Sequence, residues 1–189
     1  MTGNIEFLPG DLFQTDMETI VITVNCVGVM GKGIALRLKE TAKPAYEKYR
    51  ELCDAGEMNL GKSVIYDEPL DVLDGKTILF FPTKYHWRSR SELFRIKEGL
   101  KHFAENYDDM GIKSIAFPAL GCGHGGLNWN DVKPVMSEYL EDLDIEIKIY
   151  EPGKQTEKNL PGKQTEKNLP GKQTEKKSNP KPSKITDYS

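Results

Sequence analysis

The sequence predicts an α/β layered fold with helices on both faces of a sheet. Strand-like and helix-like segments alternate from residue 4 to residue 150, a pattern that needs both faces covered. Thr19–Val24 is β-branched and nearly all apolar, as expected of a central strand buried on both sides. Two glycine-rich turns follow predicted strands, and in open α/β sheets ligands sit beyond the carboxyl ends of the strands.

The elements follow in order. Asn4–Leu8 alternates and reads as a first strand. Thr19–Val24 is the second. Lys32–Glu40 carries Ile34, Ala35 and Leu38 at helical spacing. Pro44 opens another helix in its first turn, running to about Ala55 and stopping at Gly56. Ser63–Tyr66 and Lys76–Phe81 read as strands. Ser91 is expected to cap a long helix to about Tyr107, with Phe94, Leu100 and Phe103 on one face. Lys113–Phe117 is a strand, Asn128 or Asn130 caps a helix to about Leu140, and Ile145–Tyr150 closes the set. That makes about six strands and four helices.

The chain has 189 residues, 26 Lys+Arg and 29 Asp+Glu, a net charge of −3. That average joins two different parts. Residues 153–189 hold nine Lys and four acids, +5, and repeat Gly-Lys-Gln-Thr-Glu-Lys-Asn-Leu-Pro. The remaining 17 basic and 25 acidic residues give residues 1–152 a charge of −8. A domain of about 150 residues buries roughly 68–70% of its unfolded surface and needs no staples. The repeat has a period too short for a solenoid and no apolar face, so residues 153–189 are expected to be a disordered or extended tail. It serves either as a solvated linker or as a basic arm for nucleic acid.

No apolar run approaches the ~20 residues of a membrane span. The first residues lack the basic and apolar regions of a signal peptide. Cys26, Cys53 and Cys122 cannot all pair and lack metal-ligand spacing, so reduced thiols, a cytoplasmic location and no metal are expected. An acidic domain is a poor general nucleic-acid binder, so any such role must be local.

Four loops carry candidate chemistry. In Gly10-Asp11-Leu12 the carboxylate either accepts from an exocyclic amine or caps a turn. Asn25-Cys26-Val27-Gly28-Val29-Met30-Gly31-Lys32-Gly33-Ile34 leads a buried strand through glycines into a helix N-terminus. That is either an anion cradle, for phosphate or diphosphate, or a tight turn. It lacks the Walker spacing. Phe81-Pro82-Thr83-Lys84-Tyr85-His86-Trp87-Arg88 places Lys, His, Trp and Arg at one strand mouth. Lys84 is either a solvated charge or a nucleophile of lowered pKa, and Trp87 and Arg88 either pack locally or stack on a base. Pro118-Ala119-Leu120-Gly121-Cys122-Gly123-His124-Gly125-Gly126-Leu127 is a second glycine loop. It either clamps a diphosphate and its ribose or is a long turn. Cys122 has no acid or base at a supporting spacing.

These loops, in this order, resemble the macrodomain family over Met1 to about Glu151. The resemblance implies a three-layer α/β/α sandwich around a mixed central sheet of about six strands, binding ADP-ribose. It implies that Asp11, with Leu12, meets the adenine amine and that Asn25 lies near the distal ribose. It also implies that the diphosphate and distal ribose are held by residues 28–34 (Gly28, Val29, Met30, Gly31, Lys32, Gly33 and Ile34). Pro118, Leu120, Gly121, Cys122, Gly123, Gly125, Gly126 and Leu127 complete that grip. The stretches from Asn25 to Leu36 and from Pro82 to Arg88 are similar to the DarG-type branch. That branch comprises antitoxin macrodomains that remove ADP-ribose attached to thymidine of single-stranded DNA by a DarT-type ADP-ribosyltransferase toxin. A related branch that acts on protein glutamate carries an aspartate in the second glycine loop. Here that loop reads Gly121-Cys122-Gly123-His124-Gly125-Gly126, without an acid, which favours the DNA-directed branch over a hydrolase of ADP-ribosyl esters on acidic side chains or of O-acetyl-ADP-ribose. A reader that binds ADP-ribose without turnover is the remaining alternative.

The expected mechanism is attack by the Lys84 amine, lowered in pKa by burial and by Arg88, on the anomeric carbon. His124 or His86 assists the leaving group, and Trp87 and Arg88 hold flanking DNA. ADP-ribose is ligand or product, no other cofactor is implied, and the domain is expected to be monomeric. The larger antitoxins carry a C-terminal toxin-binding part where this chain has its repeat tail, so the resemblance does not extend to direct toxin neutralisation.

Overall fold

The computed structural model describes residues 4–153; the repeat tail from residue 154 onward lies outside them. Six strands form one sheet: β1 (Asn4–Leu8), β2 (Thr19–Asn25), β3 (Val64–Leu70), β4 (Lys76–Lys84), β5 (Ser114–Pro118) and β6 (Glu146–Tyr150). Four helices connect them: α1 (Gly33–Thr41), α2 (Lys43–Asp54), α3 (Leu93–Asn106) and α4 (Trp129–Leu140). The strand order is β1-β6-β5-β2-β4-β3. Every neighbouring pair is parallel except β3–β4. The sheet is therefore mixed, with the antiparallel strand confined to an edge.

Period-two alternation explains the layers. Ile20, Ile22 and Val24 of β2, with Ile78 and Phe80 of β4, face Leu38 of α1 and Ala45, Tyr49 and Leu52 of α2. Val21, Leu79 and Phe81 point the opposite way, onto Ile96, Leu100 and Phe103 of α3 and Val132 and Met136 of α4. Each central strand thus serves two cores, which is why β2 reads as an unbroken apolar run.

Several boundaries differ from expectation, each for a physical reason. β3 continues to Leu70 through Pro69, because an edge strand tolerates a residue without an N–H and the register shifts there. β4 continues through Pro82 to Lys84, with a register shift opposite Val24 and Asn25. Lys84 is therefore part of a strand rather than of a loop. Asn128 is the cap of α4, its Oδ1 accepting from Asn130 N at 2.9 Å. Ser91 does not cap α3: the cap position is Glu92, which makes no side-chain capping bond. Nor does Phe94 lie on the core face of α3; that face is Ile96, Gly99, Leu100 and Phe103, while Phe94 is exposed.

Gly99 stands mid-helix, where Ala is ordinarily better by up to about 1 kcal/mol. A Cβ here would come 2.5 Å from Cζ of Phe81. Glycine is what allows α3 to approach β4 this closely. Gly99→Ala is expected to destabilise the protein by about 1–3 kcal/mol, despite its better helix propensity, read as a lower denaturant midpoint at unchanged slope.

Candidate active site

All five parallel strands end at the same edge of the sheet, and their outgoing loops surround a cleft of about 970 Å³. The loops after β1, β2, β4, β5 and β6 all line it. The four loops singled out in the sequence meet here.

After β1, Asp11 faces the cleft and also caps a short 3-10 turn, Leu12–Gln14. Its Oδ1 accepts from Phe13 N at 3.0 Å, and Arg37 Nη1 donates to both carboxylate oxygens at 2.7 Å. Arg37 holds the carboxyl below its usual pKa. These contacts use three of about four acceptor sites, leaving room for one more donor. The turn-capping reading of Asp11 is what the structure shows.

After β2, Asn25 is buried and its amide is spent on the loop it launches. Nδ2 donates to Val29 O at 2.6 Å, while Oδ1 accepts from Val27 N at 3.1 Å and Val29 N at 3.3 Å. From α2, the buried Tyr49 hydroxyl donates to Asn25 O at 2.8 Å and lies 3.0 Å from its Oδ1. The Asn25 side chain thus braces the turn. Val29, Gly31, Lys32, Gly33 and Ile34 line the cleft, whereas Met30 turns into the core and Gly28 packs towards Cys53. Lys32 precedes α1 without making a side-chain cap. The first-turn N–H groups of α1 therefore meet the cleft with no capping side chain, an arrangement suited to an anion.

At the end of β4, Lys84 Nζ donates to His124 O at 3.3 Å. Burial, and secondly the charge of Lys32, push its amine below the usual lysine pKa. The neighbouring cation is therefore Lys32, not Arg88 as expected, because Arg88 turns away to lie 4.5 Å over the Trp87 ring. Trp87 and Arg88 line the cleft and His86 does not. His86 Nδ1 accepts from Arg88 N at 3.2 Å, bracing the turn, and its ring packs on Trp87.

After β5, Pro118, Gly121, Cys122, Gly123, His124 and Gly125 line the cleft. Leu120 is buried, while Leu127 N and Gly126 N close the loop onto Gly121 O and Gly123 O. Ser91 lies against this loop, its N–H donating to Gly125 O at 3.0 Å. A Cβ on Gly125 would collide with the Ser91 hydroxyl and the Gly121 carbonyl, so only glycine fits. The Ser91 Oγ is buried and has no hydrogen-bond partner. His124 places its ring against Gly33, so the two glycine loops touch. Burial pushes the Cys122 thiol up to about 11, which keeps it protonated and unsuited to nucleophilic attack.

The sequence reading missed the wall after β6, Tyr150–Gly153, and Ser89 and Arg90 after β4. The rule of looking beyond strand ends applies to β6 as well, and applied there it would have found Tyr150 and Glu151. Glu151 is held by Lys133 at 2.6 Å and by Trp129 Nε1 at 3.3 Å, and lies below its usual pKa through Lys133. The cleft is electrically polar as a result. Its lining carboxylates, Asp11 and Glu151, sit at the β1–β6 end, each paired with a cation. Lys84 ends β4, and Lys32, Arg88 and Arg90 come from the loops after β2 and β4. Among the described residues, no three His, Cys, Asp or Glu converge to hold a metal ion.

Tyr49→Phe removes the buried donor to Asn25. It is expected to cost about 1–3 kcal/mol of stability and to weaken binding of ADP-ribose, the ligand that the sequence resemblance implies, through a loosened glycine loop. Denaturant unfolding and calorimetric titration check both; a fully stable, tight-binding variant would show that the brace is dispensable.

The Macro domain family model matches residues 21–136. The DNA ADP-ribosyl transferase-DNA ADP-ribosyl glycohydrolase fusion protein of Thermosipho africanus is 42% identical over 166 residues, covering 80% of this chain and 43% of that protein. The solved structure of Thermosipho africanus DarTG in complex with ADP-ribose is similar with a TM-score of 0.76 at 41% identity, covering 84% of this chain and 43% of that one. The macrodomain of Thermus aquaticus DarG gives 0.74 at 40% identity, covering 79% of this chain and 99% of that one. The chain thus spans less than half the length of the Thermosipho fusion protein and nearly all of the separate Thermus macrodomain. With its six-stranded mixed sheet between two helical layers, the chain belongs to the Macro domain family.

Proposed function

We propose that this domain binds ADP-ribose and hydrolyses it from thymidine in single-stranded DNA, with Lys84 as nucleophile. The observation that carries the reading is the catalytic end of the cleft. It gathers four cations, one of them a lysine of lowered pKa, and no carboxylate. A carboxylate-free, cationic mouth suits a substrate flanked by phosphates. The similarity to proteins named DNA ADP-ribosyl glycohydrolases supports the same assignment.

In this mechanism the adenine end of ADP-ribose lies at Asp11 and Leu12. The diphosphate is neutralised by backbone N–H groups of residues 28–34 and of the 118–127 loop, aided by the Lys32 charge. The distal ribose then reaches Lys84. The free amine attacks the anomeric carbon, a carbon–nitrogen bond forms, and the bond to the thymine nitrogen breaks with its electron pair staying on thymine. His124, whose ring lies at the junction of the two glycine loops, supplies the proton that thymine takes. Water then attacks the same carbon, and the Lys84 amine and ADP-ribose separate. Trp87 and Arg88 hold the neighbouring nucleotide. The domain acts as a cytoplasmic monomer on the product of a DarT-type transferase. No cofactor or metal enters the reaction.

Incubation with an ADP-ribosylated thymidine oligonucleotide and, separately, with ADP-ribosylated glutamate on protein tests the reading. Release from the oligonucleotide alone is expected, falling by roughly 10³-fold or more in Lys84→Ala. Release from glutamate instead would make the protein-directed reaction correct. Tight ADP-ribose binding without release from either would make the domain a reader.

The pH dependence has a definite sign. Lys84 works as the free amine, so kcat rises as pH approaches its pKa from below and levels off above it. Burial and Lys32 both lower that pKa, so the rising limb lies at lower pH than an ordinary lysine would give. Lys32→Met removes a like charge, and the limb is expected to move to higher pH in single-turnover kinetics. An unmoved limb would show that Lys84 is not the titrating group.

A further inference from the structure

Every exposed Phe, Tyr or Trp side chain among the described residues lies within one short segment: Tyr85 (63% exposed), Trp87 (44%) and Phe94 (49%). The same segment is strongly basic. From Lys84 to Lys97 there are five cations and one acid, Glu92, a local charge of +4 in a region that otherwise sums to well below zero. Two of these arginines lie over the exposed rings, Arg88 at 4.5 Å from Trp87 and Arg95 at 4.5 Å from Phe94.

Packing does not account for Phe94. The core face of α3 is Ile96, Gly99, Leu100 and Phe103, and a residue two positions before Ile96 lies well round the helix from that face. Arg95 bonds Glu98 at 2.9 Å through Nη1, yet its Nε is buried without a partner. Topology puts the segment at the cleft: β4 ends at the edge where the cleft lies, α3 starts from that edge, and Trp87, Arg88 and Arg90 line the cleft directly. Phe94 comes four positions after Arg90, a reach of at most about 14 Å.

We propose that the Tyr85–Arg95 connection is a track for single-stranded DNA. Trp87 with Arg88 forms a first stacking station at the cleft mouth, and Phe94 with Arg95 forms a second one farther along. The inference rests on the reading above that the substrate is a DNA strand, and it adds that the domain grips unmodified nucleotides beyond the modified one. Aromatic faces take bases of any sequence, and the arginines meet phosphates. The acidic surroundings keep the grip local to this strip. The preferred substrate is accordingly an oligonucleotide rather than an ADP-ribosylated nucleoside.

The test uses the full chain and a short unmodified oligothymidylate, with fluorescence anisotropy at low salt. Phe94→Ala is expected to weaken binding about tenfold, and Phe94→Trp to retain it. Phe94→Leu, which keeps apolar bulk but no ring, is expected to behave like the alanine variant. Calorimetry with free ADP-ribose, whose proposed cleft Phe94 does not line, confirms that each variant is folded. Equal oligothymidylate binding by parent and Phe94→Ala would overturn the track, as would full rescue by leucine. Tighter binding of oligouridylate would overturn the commitment to DNA. If ring-dependent binding is found but no ADP-ribose is released from modified DNA, the track stands and the hydrolase reading fails.

Discussion

A primary amide taken out of water needs hydrogen-bond partners, and Asn25 finds them in the loop it launches. Its side chain bonds Val27 and Val29, and Tyr49 reaches in from α2 to hold its carbonyl. Leaving such a group unpaired costs about 1–3 kcal/mol, so the turn has one shape. That shape decides where α1 begins and therefore where its first-turn N–H groups open onto the cleft. It also ties β2 to β4, because Asn25 is the register partner of Lys84 and Cys26 N donates to Tyr85 O at 2.8 Å. Lys84, the N-terminus of α1 and the aromatic rim take their relative positions from this one buried network.

The electrostatic design follows from the same frame. Under the proposed function an acidic domain receives a diphosphate, and the cleft allows this without reversing the overall charge. Backbone N–H groups supply fixed partial charges at no cost to net charge. The cleft carboxylates are each matched by a cation, Asp11 by Arg37 and Glu151 by Lys133. At the other end Lys32 and Lys84 stand close enough for one to lower the pKa of the other. A bound diphosphate would relieve that repulsion, and desolvation by the ligand would oppose the relief. Lys84 therefore depends on both its neighbours and its occupant.

The second glycine loop owes its form to close approach rather than to flexibility. Gly125 sits where any side chain would strike Ser91 and Gly121, and Gly33 meets the His124 ring. Gly121 and Gly125 are packed positions against Ser91, and their backbones can reach a ligand because no Cβ stands in the way.

Much of this was legible in the sequence. Two periodicities, 2 for strands and 3.6 for helices, are local and act on neighbours within a turn or two, so the α/β class and all ten elements could be read directly. The glycine loops after β2 and β5 were legible for the same reason. Long-range contacts were not. Phe94 looked like a core residue because spacing alone does not say which side of α3 meets the sheet. Ser91 looked like a cap because its packing partner is Gly125, 34 positions later. Arg88 was taken for the neighbour of Lys84, but Lys32 holds that place from another strand end. The wall at Tyr150–Gly153 exists only because β6 lies next to β1. The sequence by itself determined the elements and the chemistry available at their ends. Strand order and helix rotation, which depend on contacts between residues far apart in the chain, decided which of those groups meet.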